Sequence, residues 1–229
     1  LLVGILASVA SLRTPLWRDE VATLSFAELP LADLGQAVTH VDGVMLPYYL
    51  IAHVTQVVLP GSFGLRLPSI LGVVIATAAT AAIAGRWWGL WAAAAAGLAL
   101  AVNPLVITQG STARPYALAI CFVALAGLAL ARALWPRNRP GRDQRVPVAA
   151  WVGYALCVAL AGLMHLFALF CLPGFLLLAL AGRKPVRWLI ATGAGVVAVV
   201  PLMLFTFGQR GQVDWIQRPD LRSGFGALA

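Results

Sequence analysis

Charge is what this chain has least of. Only 10% of its 229 residues are Asp, Glu, Lys or Arg, and just eight are acidic. A soluble domain carries roughly 25% charged residues. The shortage excludes an ordinary water-facing surface. Cysteine is also scarce. Cys121, Cys157 and Cys171 all lie inside apolar stretches, odd in number and without metal-ligand spacing. They read as small buried hydrophobes, not as a disulfide framework or a zinc site. No initiator Met and no charged flank precede the opening "LLVGILASVASL". A secretory signal ahead of a soluble domain is excluded because apolar segments keep recurring. The chain is expected to be the N-terminal part of a longer protein, with its last residues "LRSGFGALA" approaching a further helix. Nothing in it marks nucleic-acid binding.

What fills the chain is apolar. Hydrophobic residues make up 61%, and the mean hydropathy is +0.90. Apolar windows run over 1–12, 45–60, 66–85, 89–108, 115–135, 148–164, 166–182 and 186–207. Several are long enough, at roughly 18 residues or more, to cross a bilayer as helix. The fold class is therefore an all-α polytopic membrane protein, a single module over 1–229.

Charge placement decides which windows cross. Suppose 45–60 lies flat at the surface. Arg86, the arginines of "ARALWPRNRPGRDQR" and the cluster Arg183, Lys184, Arg187 then share one side. That side holds nine basic residues and one acid, Asp143. The other side balances seven arginines against seven acids, so the whole formal charge of +8 lies on one face. Such a bias marks the cytoplasmic side. If 45–60 spanned, the asymmetry would largely vanish. That window is also short, about 24 Å as helix, and it carries His53, Thr55 and Gln56. The expectation is seven spans, a first extracytoplasmic loop over 13–65 with juxtamembrane helices, a basic cytoplasmic loop over 136–147, and a further extracytoplasmic loop over 208–222.

The first outer loop has helical signals of its own. Leu31, Leu34, Val38 and Val41 recur at three- and four-residue spacing after Pro30. "DEVATLSFAEL" reads as an earlier helix opened by Asp19. Polar side chains from distant segments reach the same side and depth. They are Asp19, Glu20, His40, Asp42, Tyr48 and Tyr49 of the first loop, Gln109, Arg114 and Tyr116 of the second, His165 at a tight turn, and Gln209 and Arg210 near the end.

A carboxylate at a water–lipid boundary can serve as general base toward an attacking hydroxyl. An arginine beside it can neutralise a phosphate leaving group. Together they suit group transfer from a lipid phosphate to an alcohol. Blander roles compete. Asp19 and Glu20 suit a helix cap paired with Arg18 and Arg13, and Arg114 suits a snorkelling anchor. Tyr116, Trp87, Trp88 and Trp91 suit an aromatic belt. Arg66 suits a span anchor or a lipid headgroup ligand, and His53 a buried ring without chemistry.

The segments "WRDEVATLS", "HVDGVMLPYYLIAH", "LRLPSILGVV", "QGSTARPYALA", "MHLFALFCLPG" and "GQRGQVDWI" together resemble, in order and spacing, actinobacterial membrane proteins of the protein-mannosyltransferase type within the GT-C superfamily. The resemblance covers nearly the whole chain. It implies an inverting transfer of a sugar, mannose being the family's choice, from a polyprenyl-phosphate donor to an acceptor hydroxyl outside the cytoplasm. It also implies a catalytic Asp in the first outer loop, which maps onto Asp19 with Glu20 beside it.

The roles that follow are Arg114 for the donor phosphate, with Gln109, Tyr116 and His165 lining the donor pocket. Tyr48 and Tyr49 hold the lipid, and His40, Asp42, Gln209 and Arg210 contact substrate. Some relatives carry an acid in the second outer loop, and oligosaccharyltransferases hold a divalent metal with acidic pairs there; "STARPYA" has none. No cofactor and no metal are expected, a divalent cation being the less favoured alternative. The partners are the lipid-linked sugar, an acceptor glycan, lipid or protein, and the bilayer of the cell membrane. Rival functions are a transporter or flippase, or a non-catalytic GT-C-like subunit. A transporter would place ionisable groups at mid-membrane on broken helices, whereas here they gather at one surface.

Overall fold

The computed structural model describes residues 2–136, 148–209 and 211. Helix accounts for almost all of the described residues, and no strand occurs among them. In chain order the helices are α1 (Leu2–Arg13), α2 (Arg18–Ala27), α3 (Leu31–His40), α4 (Leu46–Val58), α5 (Ser62–Ala101) and α6 (Pro104–Gly110). There follow α7 (Tyr116–Leu134), α8 (Val148–Met164), α9 (Leu172–Ala181), α10 (Pro185–Val197) and α11 (Val200–Phe207). Short 3-10 turns occupy Gly43–Met45 and Leu166–Cys171.

The unbroken label of α5 conceals a reversal. Gly89 takes φ 81° and ψ −170°, outside the helical region, a conformation open to glycine because it lacks a Cβ. Beyond it the chain returns along itself. A Cβ on Gly85 would lie 3.0 Å from Ala93, and one on Gly97 would lie 3.2 Å from Ala81. Residues 62–88 and 90–101 are thus the two arms of an antiparallel hairpin. The sequence windows 66–85 and 89–108 follow these arms, with a second break at Val102–Asn103, where the Asn103 side chain caps α6.

Three helical stretches are long and apolar enough to cross a membrane: Ser62–Ala101, Tyr116–Leu134 and Pro185–Phe207. The remaining apolar helices are shorter, so the count of seven crossings rests on charge pattern and not on helix length. Close packing brings the helices together. Gly72 of α5 lets the Ala117 backbone of α7 approach to where a Cβ would meet its carbonyl at 3.0 Å, the small-residue contact that membrane helices favour. One apolar cluster joins α1, α5, α6 and α7 around Val3, Ala7, Val73 and Val106. A second joins α7, α8, α9 and α10 around Leu130, Tyr154, Val158 and Ala179.

The segment 13–65 folds over one end of this bundle. α3 buries Leu34 and Val38 and leaves Leu31 and Val41 exposed, so the predicted stripe is used only at its centre. α4 buries Tyr48, Tyr49, Ala52 and Gln56 against the protein and presents Leu50, Val54, Val57 and Val58 outward. Its 13 residues span only about 20 Å. Gln56 holds the turn before α5, donating to the Gly61 carbonyl at 3.0 Å and accepting from its N–H at 2.9 Å.

Candidate active site

The second turn of the first loop sets the geometry. α2 opens with Arg18, Asp19 and Glu20, and carboxylates in a first turn suit the exposed N–H groups there. The two acids are adjacent, so they point in different directions. Each meets an arginine from a different part of the chain.

Glu20 turns inward and is fully buried. Its Oε1 accepts from Arg66 Nε at 2.7 Å and from the Ala113 N–H at 2.8 Å. Its Oε2 accepts from Arg66 Nη2 at 2.6 Å and from the Trp17 N–H at 3.4 Å. Arg66 itself is 1% exposed. Its Nη1 donates to the carbonyls of Ser11 and Thr14, and its Nη2 also reaches the Pro15 carbonyl at 3.3 Å. All five guanidinium N–H groups are thereby used. The pair ties the end of α1, the start of α2, α5 and the Ala113 backbone into one unit. Both oxygens of Glu20, the second acid expected in the chemistry, are committed to protein donors. Arg66 is likewise neither a lipid ligand nor a simple anchor. Its clue in the sequence was an arginine near the start of an apolar window in a chain with few acids to pair it.

Asp19 turns outward. Its Oδ2 lies 3.3 Å from Arg114 Nη2, with side-chain exposures of 39% and 20%. A contact of that exposure is worth under about 1 kcal/mol, so it can be exchanged. Arg114 Nε is buried and has no hydrogen-bond partner among the described residues, a group that ordinarily finds one. The Arg114 guanidinium also stands 5.9 Å from the centre of the Tyr116 ring. The backbone beneath it is fixed. The Arg114 carbonyl accepts from Ser69 Oγ at 3.2 Å, and Ser69 Oγ lies 3.2 Å from the Tyr48 hydroxyl. Thr23 Oγ1 bridges the Asp19 carbonyl at 2.9 Å and the Ala113 carbonyl at 3.3 Å. The two segments bearing Asp19 and Arg114 are thus bonded to each other at several points.

Tyr116 leads into a cavity of about 600 Å³ whose lining is apolar apart from a few groups. Gln109, Tyr116 and His165 all line it, with Leu105, Ile120 and Val123. The predicted donor-pocket trio is therefore brought together. The His165 ring lies 5.0 Å from the Tyr116 ring, tilted by 46° to it. Burial and the nearby Arg114 cation both lower its pKa from the usual 6.5, which keeps the imidazole neutral at neutral pH.

Other expected residues serve differently. Tyr48 and Tyr49 are each 1% exposed. Tyr49 stacks on Phe26 at 4.6 Å and donates to Asp42 Oδ2 at 3.4 Å. Burial raises the pKa of both phenols, so they stay protonated. They form the wall behind the site, and neither of these expected lipid contacts presents surface. Asp42 adopts a left-handed conformation, φ 54°, at the joint between α3 and the Gly43–Met45 turn. His40, exposed, ends α3. Gln209 is a clasp: its Oε1 accepts from the Gly43 N–H at 2.9 Å and its Nε2 donates to the Val38 carbonyl at 2.7 Å. Both ends of this expected substrate contact are occupied by backbone. His53 Nδ1 donates to the Ala27 carbonyl at 2.8 Å, a structural role. Arg210, the Arg13 side chain, and most of 136–147 and 208–222 lie outside the described residues.

Comparison with known proteins gives a match at the level of family. The family model of dolichyl-phosphate-mannose-protein mannosyltransferases matches residues 42–206. No curated protein and no solved structure matches the chain.

Proposed function

Because the chain belongs to the dolichyl-phosphate-mannose-protein mannosyltransferase family, and so is a membrane glycosyltransferase of GT-C type, we propose that Asp19 and Arg114 carry its transfer reaction. The donor is a sugar linked to a polyprenyl phosphate, and the acceptor is a hydroxyl outside the cytoplasm. Asp19 accepts the acceptor's proton as its oxygen attacks the anomeric carbon. The bond from that carbon to the phosphate oxygen breaks, and the lipid phosphate leaves with the bonding electron pair. Arg114 holds the charge on the phosphate, using Nη2 and the unpartnered Nε as a two-pronged donor. A single displacement of this kind inverts the anomeric centre. The apolar cavity takes the proximal isoprene units, with Gln109, Tyr116 and His165 along it.

The observation that carries this reading is the placement of an exchangeable Asp19–Arg114 pair beside an apolar cavity. A phosphate entering the site takes Arg114 from Asp19 and leaves the carboxylate to serve as base. In this reading Arg114 alone carries the charge of the donor phosphate, and no divalent metal takes part. Expressing the full-length protein as Asp19→Asn and measuring sugar transfer in membranes tests the proposal. Transfer is expected to fall by about 10²- to 10⁴-fold, while the protein's level and melting point stay unchanged. Undiminished transfer would remove Asp19 as base.

A further inference from the structure

The opposite end of the bundle holds a second polar concavity that this reaction does not use. It lies between the α5 hairpin and α7, measures about 370 Å³, and is walled by Ala81, Gly85, Ala93 and Leu128 together with Arg86 and Arg132. Among the described residues, no carboxylate lines it. The cations around it exceed what the fold requires. The last carbonyls of α7 are met from one side by Arg86, which donates to Trp135. Lys184 meets them from the other, donating to Ala133 at 2.9 Å and Leu134 at 3.2 Å. Those two already answer the negative end of the helix dipole. Arg132, exposed in the last turn of α7, adds a further guanidinium at the mouth.

Depth identifies the kind of ligand. Arg66 and Arg86 stand 20 residues apart along one arm of α5, about 30 Å of helix, which equals the thickness of a bilayer's hydrocarbon core. With Arg66 at one boundary, Arg86 lies at the other. The hairpin tip agrees. Trp88, Leu90 and Trp91 are 72%, 80% and 86% exposed, and exposed tryptophans favour the headgroup layer. Trp87 packs edge-on against Trp135 at 5.7 Å beside the concavity.

We infer that this concavity binds the phosphodiester headgroup of an anionic phospholipid. Arg86 and Arg132 grip the phosphate oxygens with guanidinium forks, and the acyl chains run back into the bilayer along the arms of the hairpin, where Ile75 and Leu98 face outward. Basic pockets between membrane helices suit that chemistry. The lipid braces α5 and α7 at one end, the same two elements that carry or adjoin Arg66 and Arg114 at the other.

The test uses full-length protein in detergent, titrated with phosphatidylglycerol, with phosphatidylcholine of the same chains, and with soluble glycerol phosphate, bound copies being counted by native mass spectrometry. One phosphatidylglycerol is expected to be held about thirtyfold tighter than phosphatidylcholine, from two arginines at about fivefold each. Arg132→Gln is expected to lose about fivefold of that preference, and Arg86→Gln with Arg132→Gln to abolish it. Arg183→Gln with Arg187→Gln removes as much charge away from the concavity and is expected to keep the preference. Equal loss in that control would reduce the effect to net charge and overturn the site. Displacement of the lipid by an equal concentration of glycerol phosphate would make the ligand a soluble anion and overturn the lipid assignment. If Arg86→Gln impairs folding, the exposed Arg132 decides the matter alone, and an unchanged preference in Arg132→Gln would defeat the proposal.

Discussion

Asp19 and Glu20 are consecutive residues with the same functional group, and each meets an arginine. Glu20 and Arg66 are both 1% exposed at the side chain and joined through two short contacts, whereas Asp19 and Arg114 are 39% and 20% exposed and joined through one of 3.3 Å. The difference lies in what surrounds each pair. Around Glu20, protein groups occupy both carboxylate oxygens and all five guanidinium donors. Around Asp19, an arginine donor is left over. A sealed pair fixes positions, because breaking it strands a charge away from water. An open pair can trade its partner for a substrate. The same two residue types supply a joint and a reactive site one position apart.

Several substitutions break or sharpen that contrast. The largest effect on chemistry is expected from Asp19→Asn, with transfer down about 10²- to 10⁴-fold and thermal stability preserved. Glu20→Gln should show the reverse order of effects. It leaves Arg66 buried without its counter-charge and is expected to cost about 3 to 5 kcal/mol, read as a lowered melting point and poor yield in detergent. Changing both partners, Glu20→Gln with Arg66→Met, is expected to recover part of that loss, since no lone charge remains. A Glu20→Gln protein that melts normally but fails in transfer would return Glu20 to the chemistry.

Arg114→Ala is expected to weaken donor binding by about 10- to 150-fold, the value of roughly 1.5 to 3 kcal/mol for a hydrogen bond to a charged group. Arg114→Lys should recover only part, because an ammonium cannot present two fixed donors. Donor titration at fixed acceptor separates this from a general loss of rate. Gln209→Ala removes two bonds to the α3 joint and is expected to cost about 1 to 3 kcal/mol, seen in faster amide exchange over 38–43. The smallest effects are expected from EDTA, which should leave transfer unchanged, and from His165→Asn, which should leave the pH profile above neutrality unchanged. The lowered pKa of His165 means that its proton is already lost there. Restoration of EDTA-treated enzyme by Mn²⁺ or Mg²⁺ would establish a metal requirement.

Much of the fold was legible in the chain. Apolar windows located the apolar helical stretches, since hydropathy is a local property, but not the breaks at 102–103 and 198–199 or the 3-10 turn over Leu166–Cys171. The stripe from Leu31 to Val41 found α3, though only Leu34 and Val38 are buried, because a helix on the rim packs along a narrow line. The reversal at Gly89 was marked by the gap between two windows. Among the candidate site residues, Asp19, Gln109, Arg114, Tyr116 and His165 lie near one another. Glu20, Tyr48, Tyr49 and Gln209 stand at the same end but bond inward. Sequence depth along a helix gives the end of the bundle at which a residue lies, and says nothing of whether its side chain finds a protein partner there.

The sequence by itself determined that the protein is helical and rich in stretches apolar enough for a membrane. Those properties follow from the composition and period of short stretches. Tertiary structure alone decided which of two adjacent carboxylates is open. That outcome depends on Arg66, 46 residues from Glu20, and on the Ala113 backbone, 93 residues from it, arriving on the same side of α2. Burial of an ion pair is set by what distant segments pack around it, and no local pattern encodes that.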